Sequence, residues 1–369
     1  MKFVHTADWH IGMKFGSFDS EKAKAARKER LKAGSRVVDV ANTHQADFII
    51  VAGDLFQDNS VDRSLVMETA SILSKFQGDV FIIPGNHDPL VPGSVWDHQP
   101  SWERYENVKI FRENKPEFLN SCVLYPCVAT SKYNSNDPTA WIDAKSQGQI
   151  SIGIAHGNID ALQNEAKDTP IAKDAASSSG LDYLALGHWH STIIGDQLGA
   201  PRMAYSGSHE TGSFGERDSG YVLVVEIEKR GSTPCITPIR TGMIEWKKEV
   251  KDIRLQSDLA AISRDISAIP SPANTILSLT LTGFVFPQTL DEINHLILNF
   301  KDRFMSFNLD TSQLRPSPQN DDWLDVLPQG IIRITASELI EMSKGSDQTA
   351  EVAFSALMEL YRISHEVAK

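Results

Sequence analysis

Five short clusters of metal-binding residue types occur within the first 190 residues of the sequence. They are Asp8-Trp9-His10, Gly53-Asp54, Gly85-Asn86-His87-Asp88, the isolated His156, and Gly187-His188-Trp189-His190. Their side chains supply imidazole nitrogens and carboxylate or amide oxygens but no thiolate, a mixture that suits Mn, Fe or Zn. The candidate metal ligands are Asp8, His10, Asp54, Asn86, His156, His188 and His190.

This ligand set is too large for one metal ion, because a single ion uses about four to six ligands. Two divalent ions fit the set better. A pair of ions needs a bridging anion, and one carboxylate can give an oxygen to each metal. We assign the bridge to Asp54. Such a pair binds and activates water for attack on phosphorus, so the pattern predicts hydrolysis of phosphoesters.

His87 is the candidate catalytic residue. It directly follows Asn86, where it is poorly placed to bind the same ion and is left free to meet the substrate. We predict that His87 protonates or stabilises the departing oxygen. The next residue, Asp88, is predicted to orient the His87 ring through its other nitrogen.

Each cluster closely follows an apolar run that is typical of a buried strand. The predicted strands are Lys2 to Thr6, Phe48 to Ala52, Val80 to Ile83, Ile150 to Ala155 and Tyr183 to Leu186, followed by Met203 to Tyr205 and Tyr221 to Glu228. Helical stretches at Ala23 to Thr43 and Arg63 to Phe76 lie between some of them, which predicts an α/β layered core. Ligands of open α/β sheets bind beyond the carboxyl ends of the strands, so the clusters are expected to converge.

Two of the clusters hold candidate ligands two residues apart. Residues i and i+2 of an extended chain project to the same side, so Asp8 with His10 is predicted to clamp a metal from extended backbone. The same reasoning applies to His188 with His190. The flanking glycines are expected to permit sharp exits from the sheet and close approach of the backbone to a phosphate. They are Gly53, Gly85 and Gly187.

Composition narrows the class of protein. The chain has 369 residues, of which 41% are hydrophobic and 23% charged, as in ordinary globular proteins. A net charge of -12 disfavours a protein that coats nucleic acid along its whole surface, although it leaves room for a local basic track. The first residues resemble no secretion signal, and no apolar run reaches the length of about 18 residues that a membrane span needs. Three sparse cysteines suit a reducing compartment, so we expect a cytoplasmic protein.

The pattern changes after about residue 242. A strand-like KKEVKDIRL is followed by a helix near Asp258 to Ile266 with Ser257 as N-cap, the strand-like TILSLTLTGFVF and a helix near Leu290 to Phe304. This β-α-β-α order predicts a small α+β domain. The break at Arg315 to Asp322 is rich in Pro, Asn and Asp and is predicted to be a linker. Two terminal helices are predicted after it, at Ala336 to Lys344 and Thr349 to Val367.

Longer motifs around the clusters carry a family resemblance. The set as a whole resembles the calcineurin-like metallophosphoesterase superfamily over about the first 230 residues. HTADWHIG, THQADFIIVAGDLF, IPGNHD and YSGSHETGSFGERDSGY together resemble the SbcD family of double-strand-break repair nucleases. The resemblance implies a layered metallophosphoesterase sandwich in which two central sheets are flanked by helices, with a smaller capping domain and C-terminal helices.

The resemblance also implies an activity and partners. It implies a manganese-dependent DNA exonuclease and endonuclease that works as a homodimer with an SbcC-like ABC ATPase. The same seven ligands and catalytic His87 match the family motifs. The implied organisation is a nuclease domain at residues 1–242, a capping domain at 243–314 and, at 315–369, a linker and helices that dock on the ATPase. Gln57 stands where family members often have His or Asp, which leaves the balance of exonuclease and endonuclease activity open.

Three alternatives stay open at this point. A phosphatase or small-molecule phosphodiesterase could use the same metals. The basic run from Lys22 to Arg36 could be a DNA-binding face or an ordinary solvated face. In the last helix an apolar stripe could pack on its own domain or dock on a partner. It comprises Phe354, Leu357, Met358 and Tyr361.

Overall fold

The computed structural model describes residues 1–159, 168–253, 257–285, 289–316, 322–345 and 347–367. Over these ranges the chain divides into two compact units, Met1–Trp246 and Lys247–Lys369. The first unit therefore ends four residues beyond the predicted end of the nuclease domain at residue 242. A separate division at residues 314 and 315 stays a prediction.

The first unit contains strands and helices in alternation. Its strands are β1 (Lys2–Thr6), β2 (Phe48–Ala52), β3 (Asp79–Ile83), β4 (Val108–Ile110), β5 (Glu117–Phe118), β6 (Cys122–Pro126), β7 (Ile150–His156), β8 (Asn158–Ile159), β9 (Pro170–Ile171), β10 (Tyr183–Gly187), β11 (Ile193–Ile194), β12 (Met203–Tyr205), β13 (Tyr221–Glu226) and β14 (Cys235–Arg240). Its helices are α1 (Ser20–Thr43), α2 (Arg63–Leu73), α3 (Gln99–Trp102), α4 (Ala175–Ser179) and α5 (Gly195–Leu198).

Two sheets organise this unit. Within the described ranges, the first has the order β14-β13-β1-β2-β3-β4 and the second β11-β12-β10-β7-β6-β5. Strands β1 to β4 run parallel to one another, as do β6, β7, β10 and β12 in the second sheet, whereas β13, β5 and β11 pair with them antiparallel. Parallel neighbours end at the same edge, so the carboxyl ends of the central strands gather in each sheet.

Side chains alternate between the two faces of each strand, and both faces of the central strands are buried. Phe3 and Ile50 belong to the core between the sheets, where they meet Leu124 and Ile152 of the second sheet. Residues of the opposite face of the first sheet pack instead on Val37 of α1 and other helical residues. The predicted layered α/β sandwich is confirmed.

Helix α1 has the features that start and bury a helix. The Asp19 side chain accepts a hydrogen bond from the backbone N–H of Lys22 at 3.0 Å and caps the first turn. Small and apolar residues recur along one face of the helix and are buried. They include Ala23, Ala26, Ala33, Val37 and Val38. This apolar face is the one by which the helix packs on the first sheet.

The second unit is a small α+β structure. It consists of β15 (Glu245–Ile253), which begins at the end of the first unit, α6 (Asp258–Ser267), β16 (Thr275–Val285), α7 (Thr289–Phe300), β17 (Ser306–Pro316), α8 (Ile331–Ser343) and α9 (Gln348–Val367). The strands form a sheet in the order β15-β16-β17. Leu259 and Ile262 of α6 pack with Leu277 and Leu279 of β16, so helix and sheet share one core.

Several predictions for the second unit need correction. Strand β17 was not predicted, because its sequence SFNLDTSQLRP is mostly polar. Ser257 occupies the predicted N-cap position of α6, but its backbone angles are helical and its side chain makes no capping hydrogen bond. Of the predicted linker, Arg315 and Pro316 end β17, and residues 317–321 lie outside the described ranges.

The apolar stripe of the last helix packs within its own unit. Leu357 and Met358 are buried with Ala336 of α8, and the Tyr361 ring contacts the Trp323 ring at 5.1 Å. The internal interpretation of the stripe is therefore confirmed. Among the described residues, no helix is long and apolar enough to cross a membrane.

The basic run of α1 is not a uniform face. Arg30 is only 2% exposed, while Arg36 donates to Glu29 at 2.8 Å and to Glu210 at 3.3 Å. Lys24 and Lys28 are exposed. Grouping all these cations as one surface was therefore wrong, because the helix turns Arg30 inward.

Candidate metal centre

The predicted ligands gather where the two sheets bring their strand ends together. Asp8 follows β1, Asp54 follows β2, Asn86 follows β3, His156 ends β7 and His188 follows β10. Their backbone is tied as well, since the Asp8 N–H donates to the Gly53 carbonyl at 3.1 Å. Loops from distant parts of the sequence thereby form one site.

The loops turn through left-handed backbone rather than running extended. The φ angles are 55° at Asp8, 43° at His10, 51° at Asp54 and 105° at His188. The prediction that Asp8 and His10 face one side because the chain is extended is therefore wrong in its reason. Non-glycine residues in this region are strained, and such strain is concentrated at functional sites.

One group of donors comprises Asp8, His10 and His190, whose ligand atoms lie close together. The Nε2 atoms of His10 and His190 are 3.0 Å apart. Both carboxylate oxygens of Asp8 accept from the His188 N–H, at 3.0 and 3.1 Å, which holds the two loops in place. Asp8 and His10 are buried, and His190 is half-buried.

A second group of donors forms around Asn86. Its Oδ1 lies 2.8 Å from His156 Nε2 and 3.1 Å from His188 Nδ1. The Nδ1 of His156 lies 2.9 Å from the carbonyl of Ala52 and donates to it, so a neutral ring presents its Nε2 lone pair to the site. Three electron-pair donors thus converge on one point.

Asp54 lies between the two groups. Its Oδ2 is 3.2 Å from His156 Nε2 and 3.7 Å from His10 Nε2, and its Oδ1 accepts from the His87 N–H at 2.8 Å. This carboxylate is 2% exposed and contacts both groups through the same oxygen. It has the position that a bridging ligand requires.

The donor atoms fit divalent cations. Ligands of one ion at about 2.0 to 2.2 Å lie about 2.8 to 3.6 Å from each other in tetrahedral or octahedral arrangements. The separations of 2.8 to 3.2 Å within the two groups match this spacing. Facing lone pairs repel each other unless a cation or a proton lies between them. The residues present therefore fit a two-metal site, with Asp8, His10 and His190 on one side and Asn86, His156 and His188 on the other.

Protonation of the protein alone follows from burial and from these contacts. Burial raises the pKa of Asp8 to about 7 and lowers the pKa of His188 to about 4. Burial opposes a charged His156, but the Asp54 carboxylate prevails and raises the pKa of His156 to about 9. Cation binding at this site must therefore displace protons near neutral pH.

His87 differs from the ligands in exposure. It is half-buried among buried neighbours, and its ring centroid lies 4.8 Å from that of His10. Its Nδ1 lies 3.0 Å from the Gln57 carbonyl. When Nδ1 donates to this carbonyl, Nε2 is the ring atom left for a substrate.

Asp88 does not have the predicted role. Its oxygens accept from the Gly85 N–H at 2.7 Å and the Phe56 N–H at 2.8 Å, while the Gln57 carbonyl meets the His87 ring. Asp88 is fully buried. The prediction that it orients His87 is therefore wrong, and Asp88 holds the loops after β2 and β3 together.

Glu216 is a site residue that the residue-type pattern did not reveal. Its Oε1 lies 2.8 Å from His190 Nδ1, and its Oε2 accepts from the Gly212 N–H at 2.7 Å. A carboxylate on the second nitrogen of a ligating histidine fixes the ring and increases its basicity. Glu216 lies in the GSFGER segment, which is part of a motif that resembles the SbcD family, but the resemblance assigned no role to this residue.

Arg30 is a second residue that was missed. Its guanidinium donates to the carbonyls of Trp9, Asp8 (3.2 Å) and Glu210 (2.9 Å) beneath the site. A guanidinium presents several donors in a rigid fork, so one side chain supports two loops. The loop that carries Asp8 is held from below by α1.

Gly53 shows why the loop after β2 needs glycine. Its φ is 89°, and a Cβ atom there would lie 2.3 Å from His156 Nδ1. Any side chain would displace a candidate ligand. The close approach at this glycine is to a candidate ligand, and the predicted approach of the backbone to a phosphate stays a prediction.

The remaining described histidines have structural surroundings where they are buried. His5 contacts the Tyr183 hydroxyl at 2.9 Å, and His209 stacks on Trp9 with ring centroids 4.5 Å apart. Burial lowers the pKa of His5 to about 3, so this ring stays neutral. The side chain of His365 lies outside the described residues.

Comparison with known proteins places this centre in a family. The chain is 30% identical over 245 residues to the uncharacterized metallophosphoesterase YhaO of Bacillus subtilis (strain 168), a match that covers 61% of this chain and 57% of that protein. It is 22% identical over 272 residues to the D subunit of the nuclease SbcCD of Staphylococcus saprophyticus, covering 65% of this chain and 69% of that protein. The match therefore spans little more than half of the length of the first relative.

Solved structures that match part of this chain include a protein of Thermus thermophilus, with a TM-score of 0.44 and 11% identity over 65% of this chain and 98% of that chain. Another is a purple acid phosphatase from yellow lupin seeds, with a TM-score of 0.40 and 11% identity over 65% of this chain and 51% of that chain. The family model of calcineurin-like phosphoesterases matches residues 1–192, which include every predicted metal ligand and more than half of the chain. The chain belongs to the calcineurin-like phosphoesterase family, whose members hydrolyse phosphoester bonds with divalent metals.

Proposed function

We propose that this chain is a two-metal DNA nuclease of the SbcD type, the nuclease subunit of a complex with an SbcC-like ABC ATPase. The observation that carries the two-metal part is the Asp54 carboxylate, which contacts His156 and His10 through one oxygen. The metal ligands proposed are Asp8, His10, Asp54, Asn86, His156, His188 and His190. Manganese is the proposed metal, with iron and zinc as alternatives that the donor set also suits.

The metal pair, when bound, supplies a Lewis acid and an activated water for attack on phosphorus. The chain itself supplies position and proton transfer. Asp54 joins the two ligand groups, and Glu216 fixes the His190 ring. His87, held through Nδ1 by the Gln57 carbonyl, directs Nε2 toward the departing oxygen of the substrate and gives it a proton or a hydrogen bond.

DNA as substrate is supported by narrower observations. The four motifs that resemble the SbcD family include the segment that places Glu216 on His190. A relative named as a nuclease subunit matches over 65% of this chain. The second compact unit is Lys247–Lys369, and a capping role for residues 243–314 is part of the proposal. Homodimerisation, docking of residues 315–369 on the ATPase and a cytoplasmic location stay predictions.

A cleavage assay with two substrates tests the proposal. Purified protein with Mn²⁺ is given linear duplex DNA or bis-para-nitrophenyl phosphate, with and without its ATPase. We expect both substrates to be hydrolysed. The His87→Ala variant should lose about 10²- to 10⁴-fold in kcat, because general acid catalysis contributes about that much. His295→Ala, which changes an exposed histidine of α7, serves as the matched control.

The outcomes separate the nuclease from the alternative. Hydrolysis of the small ester without DNA cleavage, even with the ATPase present, would leave a small-molecule phosphodiesterase or phosphatase of the same family. Full activity of His87→Ala on both substrates would remove His87 from the mechanism while leaving the metal centre intact.

A further inference from the structure

Beside the metal centre, three aromatic rings form an open corner that has no part in holding the metal ligands. Phe18 and Trp246 lie nearly parallel, with ring centroids 5.6 Å apart and planes inclined by 27°. Phe214 stands upright against Trp246, at 4.8 Å and 88°. We call Phe18, Phe214 and Trp246 the aromatic corner.

The aromatic corner is accessible and firmly supported. Phe214 is 40% exposed, and Phe18 and Trp246 are half-buried. Phe15, which is buried, stacks under Phe18 at 5.7 Å, and Trp246 donates from Nε1 to the Thr211 carbonyl at 3.1 Å. Exposed aromatic rings held in place from beneath resemble the stacking surfaces of proteins that bind single-stranded nucleic acids.

The loops that carry Phe18 and Phe214 also carry residues of the metal centre. Phe214 lies in the loop whose Gly212 N–H and Ser213 hydroxyl both donate to Glu216, the carboxylate on His190. On the other side, the Met13 N–H donates to the His10 carbonyl at 3.1 Å, and the same loop continues to Phe18. A strand whose phosphate lies at the metals would therefore have its adjoining nucleotides beside the corner.

Exposed cations lie beside the rings, together with the exposed carboxylates of Asp19 and Asp218. Lys14 is exposed between His10 and Phe15, and Arg27 of α1 donates to the Lys14 carbonyl at 3.2 Å. Arg217 is exposed three residues after Phe214. The neighbouring carboxylate of Glu216 is engaged by His190. Cations that flank aromatic rings suit a chain of phosphates with unstacked bases, in a protein whose overall charge is -12.

We infer that the aromatic corner is a binding site for unpaired nucleobases, which makes a single-stranded nucleic acid end the preferred substrate form of the adjoining metal centre. This inference rests on the proposed function and extends it from DNA in general to DNA with a frayed or single-stranded end. A base stacks on the exposed ring of Phe214, which Trp246 supports, and Lys14 and Arg217 meet its phosphates. Duplex DNA must separate its terminal base pairs to use the site.

Binding without catalysis is the first test. The full-length protein, kept in EDTA so that no strand is cut, is titrated with oligo(dT) and with an abasic oligomer of equal length and charge. Tryptophan fluorescence is followed, and the Trp246→Phe variant identifies the share of the quenching that comes from Trp246. We expect saturable quenching by oligo(dT) that Trp246→Phe loses, and weaker binding of the abasic oligomer.

Substitutions at Phe214 test the contact itself. Phe214→Leu should weaken oligo(dT) binding by about 5- to 150-fold, the usual range for one lost stacking contact, and should leave abasic binding as it was. Phe214→Tyr keeps the ring and should keep the affinity. Phe118→Leu removes a 63% exposed aromatic ring on β5 and should change nothing. Thermal unfolding of each variant verifies that it folds.

The results distinguish this inference from the proposed function. Equal affinity for oligo(dT) and the abasic oligomer, or unchanged binding by Phe214→Leu, overturns the base-binding corner, even if the enzyme cuts DNA. Stacking that depends on Phe214 in a protein that cuts no DNA with Mn²⁺ overturns the nuclease proposal and leaves the corner standing. Loss of binding in Phe118→Leu as well also overturns the assignment to the corner.

Discussion

Replacing Glu216 with glutamine tests how the metal centre is held in place. The Glu216 carboxylate accepts three hydrogen bonds, from His190 Nδ1 at 2.8 Å, the Gly212 N–H at 2.7 Å and the Ser213 hydroxyl at 3.1 Å. Glutamine has nearly the same shape but only one accepting oxygen. In Glu216→Gln the amide NH₂ must therefore face the His190 ring or the Gly212 N–H, each of which is itself a donor.

The expected loss follows from this conflict. Outer carboxylates on ligating histidines typically contribute about 10- to 100-fold to metal affinity. That factor corresponds to about 1.4 to 2.7 kcal/mol. We expect the Mn²⁺ affinity of Glu216→Gln to fall within this range. The fold should persist, because the unsatisfied group lies in a half-buried loop at the surface.

The pH dependence gives a sharper signature. Burial opposes a charged His190, but the hydrogen bond that its ring donates to Glu216 prevails and raises the pKa of His190. Glu216 thus increases the affinity of His190 both for the metal and for the competing proton. Removing it lowers the pKa of His190 and weakens proton competition, so the affinity deficit of Glu216→Gln should be widest at alkaline pH and narrow toward pH 6.

Calorimetric titration of Mn²⁺ into the metal-free protein at several pH values measures this deficit. Glu103→Gln, which changes an exposed glutamate of the same unit, is the matched control and should bind like the wild type. An unchanged Mn²⁺ affinity in Glu216→Gln would refute the positioning role. A deficit that is independent of pH would refute the part of the reasoning that concerns His190 basicity.

Three further predictions follow from the same geometry. Mn²⁺ affinity should increase from pH 6 to pH 9, because Asp8 with a pKa of about 7 and His156 with a pKa of about 9 must lose protons. Calorimetry in buffers of different ionisation heat should detect the released protons, and a pH-independent affinity contradicts this. Arg30→Met should lower the free energy of unfolding, measured by urea titration, by about 3 kcal/mol, because it leaves three buried carbonyls without a donor. Arg30→Lys should restore little of this loss. A loss under about 0.5 kcal/mol would contradict the role of Arg30 in supporting the two loops. Gly53→Ala should abolish tight Mn²⁺ binding, because its Cβ would lie 2.3 Å from His156 Nδ1, and retained binding would show that the loop can move aside.

Much of the fold follows from local sequence. Short, largely apolar runs predicted β1, β2 and β12 with the observed bounds, because a strand that is buried on both faces is mostly apolar. Strand β17 escaped detection for the converse reason. Its polar residues are held in the sheet by pairing with β16, and pairing between distant segments leaves little trace in composition.

The chemistry of the site was also visible in residue types. Imidazoles, carboxylates and one amide at successive strand ends indicate divalent metals, and this requires no knowledge of which strands are neighbours. The division of the ligands into two groups required the strand order. His10 meets His190, and Asn86 meets His156, because the central strands of the two sheets pack face to face.

The sequence by itself thus determined the metal-binding residue types, the strand ends that carry them and the layered fold. Only the tertiary structure decided which ligands form each of the two groups beside Asp54, that Glu216 rather than Asp88 supports a histidine of the site, and that Arg30 faces inward. The physical reason is that residue type and periodicity are local properties. Hydrogen-bond partners depend instead on left-handed turns at Asp8, Asp54 and His188 and on loops that meet from opposite ends of the sequence.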